Sequence, residues 1–244
     1  MPADLAEAND EQGFGREEKD MAFVVAESLA EQIANHLASR IIQGEMVNNE
    51  RIQEARIVNE LQVSRGSVRE ALLILERRHL ITILPRRGAF VTELNAERVR
   101  GLYRLYGNLL EMLAEKLSWS CSDSDRQQLS GLTDKLRKSA AVHDENLFIE
   151  ANFELISNAA EVADNEYLTT ALENLRPPVQ RALALAVRNN LSEMDETTSF
   201  MANLVDFALG DQIDKVSELV NGYFKRHSAL VIQAIQDQSG TASR

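Results

Sequence analysis

Two hydroxyls and two guanidinium groups crowd the short run Ser64-Arg65-Gly66-Ser67-Val68-Arg69. A guanidinium can donate paired hydrogen bonds to the O6 and N7 of guanine, and hydroxyls suit phosphate oxygens or base edges. On this reasoning Arg65 is the leading base reader, Ser64 and Ser67 take phosphate or base-edge contacts, and Arg69 grips phosphate. Further on, Pro85-Arg86-Arg87-Gly88 sets two more cations in a turn. Arg86 and Arg87 could reach phosphates or the minor groove from there, and Gly88 permits close backbone approach. Arg56, upstream, could touch the phosphate backbone. From Arg51 to Arg87 the chain holds eight arginines against four glutamates, within a protein of formal charge -12. That local excess can neutralise phosphates and the acidic remainder cannot. The partner implied is double-stranded DNA. Glu70 and Glu76 would repel phosphate, so both are expected to turn away and bond within the domain.

Such a cluster needs rigid elements beneath it. Ile57, Val58 and Leu61 form the apolar stripe of one short helix, and Val63 leads into Ser64, a good N-cap for a second. Val68, Ala71, Leu72 and Leu75 recur at three- and four-residue spacing and give that second helix a buried back face. A helix with a basic first turn and an apolar back suits reading of the major groove. After it the period changes: Leu80 to Leu84 and Ala89 to Thr92 read as two strands around the basic turn, a wing. Upstream, Leu29, Ile33, Leu37 and Ile41 predict an amphipathic helix from Phe23 to Ile42, stopped at Gly44, that packs across the helix-turn-helix.

These residues resemble a known family. Val63 through Leu72, then Leu75-Glu76, then Pro85 through Val91, are similar to the signature of the GntR family of bacterial transcription regulators. Gly66-Ser67 stands where the usual form has Thr-Pro, a change the first helical turn tolerates. Val47-Asn48-Asn49 replaces the usual Pro-Gly with another turn-competent stretch. The similarity runs from Ser28 to Val91, and the helical remainder resembles, more loosely, the FCD domain of the FadR-like branch. The resemblance implies a homodimer on a two-fold operator, with repression the commoner mode and a small-molecule effector in the helical domain. The alternative is a constitutive dimeric DNA-binding protein with no effector.

Many FCD domains hold a divalent metal with an Asp-x-x-x-His pair and two later histidines. Alignment by resemblance puts Glu150 and Glu154 near the pair, Phe200 at the next histidine and about Gly222 at the last, with His227 about a turn further on. Two carboxylates without imidazole support suit zinc or nickel poorly, so no metal or other cofactor is expected. The arginine that often precedes Glu111 by four residues is Gly107 here. Glu150, Glu154, Phe200 and His227 remain as candidate effector-pocket residues, with Phe200 making the wall more apolar than a small carboxylate would require.

Composition sets the rest. With 44% hydrophobic residues in 244, and only 11 glycines and 4 prolines, the chain suits two mostly helical domains. The single cysteine, Cys121, has no neighbour that marks a nucleophile and excludes an intramolecular disulfide framework. No apolar run approaches a membrane span and no signal pattern opens the chain, so a cytoplasmic protein without membrane contact is expected. Nothing supports an enzyme. Tyr103, Tyr106 and Trp119 are expected in a core or an interface. The expected organisation is an acidic disordered tail (1–22), a winged helix-turn-helix with a small β-hairpin wing (23–94), an all-α antiparallel helical bundle for effector binding and dimerisation (95–238), and a flexible tail (239–244). The fold class is mostly α. Within the bundle the spacing gives six or seven helices, with one that must kink or stop at Pro177-Pro178.

Overall fold

The computed structural model describes residues 27–210 and 212–241. The expected acidic tail lies outside these residues, as do 23–26 and 242–244. Helix α1 (Leu29–Ile42) opens later than the apolar spacing suggested. Ser28 is extended and its hydroxyl accepts from the amide of Glu31, which fixes the start there. Leu29 therefore sits half exposed in the first turn, while Ile33, Leu37 and Ile41 are buried.

A two-residue strand β1 (Arg51–Ile52) leads into α2 (Glu54–Leu61) and α3 (Arg65–Arg77). Gln62 makes the turn between them in the left-handed region, at φ 54° and ψ 44°. Strands β2 (Ile81–Leu84) and β3 (Gly88–Val91) form the hairpin, and β1 adds to the other edge of β3. All pairs are antiparallel, with Thr82 and Arg51 both opposite Phe90. Isolated hairpins are marginal in water, so the third strand is a physical support for the wing that the sequence pattern did not reveal. Val68, Ala71, Leu72 and Leu75 join Ile33, Leu37 and Ile41 in one core.

The remainder is helical: α4 (Ala96–Ser120), α5 (Asp123–Ala141), α6 (Glu145–Val162), α7 (Glu166–Asn189), α8 (Glu193–Leu209) and α9 (Val216–Thr241). Asn95, Ser122, Asp144 and Asn165 cap four of these starts, and Ser122 with Asp125 forms a full capping box. Helix α4 packs against α6, α7, α8 and α9. Among the described residues no helix is long and apolar enough to cross a membrane.

The helical domain departs from expectation in two places. A 3-10 turn, Ile213–Lys215, precedes α9, which starts at Val216. Its backbone remains helical to Thr241, into the stretch expected to be a flexible tail. Most informative, α7 runs unbroken through Pro177 and Pro178. The prolines remove the donors for the carbonyls of Glu173 and Asn174. Glu173, Asn174 and Pro177 line an open cleft of about 670 Å3 with residues of α1 and α6, where water can satisfy them. Leu172, Val179 and Leu183 anchor the helix on the far side.

Helix α7 also holds the two units together. The Arg181 guanidinium donates to the Thr92 carbonyl at 2.6 Å and to Asn48 Oδ1 at 2.7 Å, and the amide of Leu94 donates to the same Asn48 oxygen at 3.1 Å. Arg188 donates to the Ile42 carbonyl at 2.6 Å and to that of Gln43, so a cation of the bundle satisfies the C-terminal carbonyls of α1. Arg181 is only 9% exposed, and burial, with Arg188 nearby, pulls its pKa down to about 10. Replacing Arg181 by Met would leave the Thr92 carbonyl without this donor. Chemical denaturation should show a loss of about 1–3 kcal/mol, and unchanged stability would show that this joint contributes nothing.

Candidate nucleic-acid interface and bundle cavity

Ser64 caps and positions the first turn of α3. Its hydroxyl accepts from the amide of Ser67 at 3.0 Å and lies 2.9 Å from the Ser67 hydroxyl, so both oxygens are fixed in the first turn of α3. Arg65 and Arg69 are exposed there. Arg69 Nε donates to Glu54 Oε2 at 3.1 Å, which orients its guanidinium across to α2, whereas Arg65 has no ion-pair partner among the described residues. Arg56, on the outer face of α2, lies 3.9 Å from Glu60. At the wing, Arg86 takes φ 62° and Gly88 φ 95°. The Gly88 value lies where a β-carbon would strain the turn. Arg86 and Arg87 are exposed, and the Arg87 guanidinium sits 5.7 Å from the centre of the Phe90 ring. Glu76 turns inward and accepts from the amide of Ile83 at 2.8 Å, tying α3 to the wing, while Glu70 stays exposed. Arg51 is a cation the sequence reasoning passed over. It is exposed on β1, with its guanidinium 3.7 Å from where a β-carbon on Gly88 would stand.

Polar atoms without partners gather inside the bundle. The hydroxyls of Tyr103 and Tyr106 on α4, Oδ1 of Asn152 on α6 and both ring nitrogens of His227 on α9 are buried with no hydrogen-bond partner among the described residues. All four side chains border one small cavity of about 30 Å3. Apart from Thr197, its remaining walls are apolar or aromatic, including Ile156, Leu183, Phe200 and Phe224. Phe200 and Tyr223 stack with centroids 3.9 Å apart, and the Tyr223 hydroxyl lies 2.8 Å from Thr197 Oγ1. Outside this pair, a groove of about 470 Å3 runs between α8 and α9. Burial pushes the Tyr103, Tyr106 and Tyr223 hydroxyls well above the ordinary phenol range. Burial, then Arg226, pushes the His227 imidazole down to about 3. Glu193 Oε2 lies 3.6 Å from His227 Nε2, but the Arg226 guanidinium holds that carboxylate's other oxygen at 2.8 Å. His227 is therefore neutral.

A model of the bacterial regulatory proteins of the gntR family matches residues 29–91, and an FCD domain model matches residues 102–226. This chain belongs to the GntR family. The gluconate operon transcriptional repressor of Bacillus subtilis (strain 168) is 27% identical over 165 residues, 68% of this chain and 68% of that protein. The uncharacterized HTH-type transcriptional regulator YdhC of the same organism is 26% identical over 148 residues, 59% of this chain and 65% of that protein. The matched stretches thus span about two thirds of these relatives' own lengths. Among solved structures, E. coli McbR/YncC has a TM-score of 0.70 at 19% identity, covering 84% of this chain and 98% of that one. A putative transcriptional regulator GntR from Rhodococcus sp. RHA1 gives 0.66 at 20%, with the same coverage. Identities this low show a shared fold.

GntR-family proteins are DNA-binding transcription regulators rather than enzymes. In the FCD domain the structure separates the four residues proposed from sequence. Phe200 and His227 border the cavity. Glu150 is exposed beside the cleft against α1, and Glu154 is ion-paired to Lys135 on α5. Asn152 and Ile156, also four residues apart, carry the inward face instead. A helix turns 100° per residue, so a two-residue error in register moves a pair to another face. Asn152 and Ile156 with one imidazole do not fit a divalent metal of the kind many FCD domains hold. No group of three or more His, Cys, Asp or Glu residues converges among the described residues. Gly107 does not simply vacate the missing arginine's place. A β-carbon there would lie 3.1 Å from Val220 and 3.2 Å from Phe224, so close helix packing takes it.

The depressed His227 gives a pH signature. An unfolded histidine titrates near 6.5, so between pH 6.5 and 3 the unfolded chain binds more protons through this group and stability rises with pH. Going from pH 7 to 4.5, the wild type should lose roughly 2–3 kcal/mol more than His227→Phe. Urea denaturation at the two pH values measures the difference, and equal losses would show the imidazole to be solvated.

Proposed function

We propose that this protein is a cytoplasmic, dimeric repressor that binds an operator through α3 and the wing, and that a small molecule in the bundle sets its affinity. For the reader, the supporting observation is the unpaired, exposed Arg65 beside the fixed hydroxyls of Ser64 and Ser67. Arg56, Arg69, Arg86 and Arg87 flank it as phosphate contacts, and Gly88 lets the wing backbone approach closely. The similarity to a gluconate operon transcriptional repressor favours repression.

The dimer rests on α4. Leu105, Met112 and Trp119 are exposed by 51%, 51% and 82%, and they recur every seven residues. Residues so spaced drift only about 20° per heptad around a straight helix and form one apolar stripe. Trp119 is thus not a core residue, and the stripe suits a second copy of α4. That helix starts at Ala96, just after the winged unit, so pairing it brings two readers to adjacent half-sites.

For the effector, the carrying observation is the convergence of unpartnered buried polar atoms on one cavity. Such atoms are costly unless a ligand or water satisfies them. The small volume of that cavity favours a second reading, in which the bundle only dimerises and the reader binds constitutively.

Binding titrations against an operator selected from a random duplex pool test the reader. Arg65→Ala should lose about 1–3 kcal/mol on the operator and little on scrambled duplex, whereas Arg87→Ala should weaken both alike. Unchanged operator affinity for Arg65→Ala would sink the assignment. Met112→Glu should shift the sedimentation coefficient to that of a monomer and weaken operator binding. A low-molecular-mass cell fraction should change operator affinity by about 5–150-fold. A constant affinity would instead support the constitutive dimer.

A further inference from the structure

We propose that the inner cavity takes an uncharged aromatic ligand bearing a hydroxyl or ring N–H. We further propose that the stacked Phe200–Tyr223 pair is the partition it displaces on entering from the α8/α9 groove. This rests on the effector reading above and names the chemistry of the ligand.

The polar atoms decide which groups the ligand must carry. Two phenol hydroxyls, an amide oxygen and a neutral imidazole wait without partners around the chamber. Each neutral group offers or accepts single hydrogen bonds, so a hydroxyl or N–H on the ligand can satisfy several of them. The surrounding wall decides the body of the ligand. Phe224 meets Tyr103 at 5.1 Å and Tyr106 edge-on at 6.3 Å, and Phe200 edge-on at 5.8 Å. Planar rings set at these angles favour another planar ring between them, through offset or edge-to-face contacts.

Charge is excluded by what borders the space. None of the residues lining the inner cavity carries a formal charge, because His227 is neutral and Glu193 and Arg226 are paired outside it. An ionised carboxylate brought here would lose its water and gain no countercharge. Gly107 adds no cation on the α4 side.

Room decides the route. About 30 Å3 holds one water, so a ring cannot enter the chamber as it stands. The groove outside has about 470 Å3, and Phe200 and Tyr223 border both spaces. Breaking the Tyr223–Thr197 hydrogen bond and unstacking the two rings merges them. Gly222 keeps the groove open, since a β-carbon on it would meet nothing within 4 Å.

The test uses the full chain and 4-fluorophenol observed by fluorine NMR, with 4-fluorobenzoate and 4-fluorobenzylamine as charged probes of similar size. Saturable binding of the phenol, at least tenfold tighter than either charged probe, is the expected result. Gly222→Trp, whose side chain projects into the groove without entering the core, should abolish or slow binding, and Tyr223→Ala should accelerate it. Asn152→Leu should weaken phenol binding at least fivefold while raising the melting temperature by about 2–4 °C, because it removes an orphaned buried oxygen. No saturable binding, equal binding of the benzoate, or unchanged affinity in both Gly222→Trp and Asn152→Leu would overturn the proposal. An operator response to the cell fraction without phenol binding would defeat the ligand class and spare the effector reading. Phenol binding with no operator response would do the reverse.

Discussion

The arrangement of the two units depends on one desolvated guanidinium. Arg181 is nearly buried and meets no carboxylate among the described residues: its partners are the Thr92 carbonyl and the side-chain oxygen of Asn48. A buried charge with only neutral acceptors is costly unless the acceptors are well aimed, so it selects one geometry strongly. Asn48 sits in the loop before β1 and also accepts from the amide of Leu94, next to the cap of α4. One side chain of α7 therefore fixes the path of the chain as it leaves the wing and starts the first bundle helix. Arg188, two turns on, does the same for the end of α1.

That joint reconciles an acidic protein with an anionic partner. Arg65, Arg86 and Arg87 are exposed, whereas Arg40, Arg78, Arg181 and Arg188 are occupied by carboxylates, carbonyls or amide oxygens. Net charge says little about binding here, because the cations split into those spent on architecture and those left in water. Surface pairs such as Arg69–Glu54 are weak enough to be exchanged for phosphate.

Much of the reader was legible because its signals are local. A capping serine, two apolar stripes and a basic turn between β-branched runs each depend on neighbours in sequence, and each element formed. The third strand escaped notice because Arg51-Ile52 is too short to show a period. In the bundle, the helix starts carry local signals, the capping side chains of Asn95, Ser122, Asp144 and Asn165. The fate of Pro177-Pro178 was not legible, because it depends on tertiary anchoring by Leu172 and Leu183 and on an adjacent wet cleft. The cavity was half legible. Phe200 and His227 border the cavity, but the loose family resemblance set the register on α6 two residues off, placing the pair at Glu150 and Glu154 instead of the inward Asn152 and Ile156.

The same helix that carries the joint also borders the cavity. Val179 and Leu183 line the inner wall of α7, and Arg181 lies between them on the chain, directed to the reader. Both faces belong to one continuous helix, and Leu183 stands two residues from Arg181 on it. A ligand that pushed α7 outward would thus be opposed by the hydrogen bonds to Thr92 and Asn48, and its binding free energy would be divided between the cavity and the joint. If the cavity takes an effector as proposed, linkage requires the converse: DNA binding that favours this placement of α7 biases the cavity by the same coupling free energy. The cavity wall and the interface cation lie on opposite sides of one helix, so that proposed coupling would run through α7.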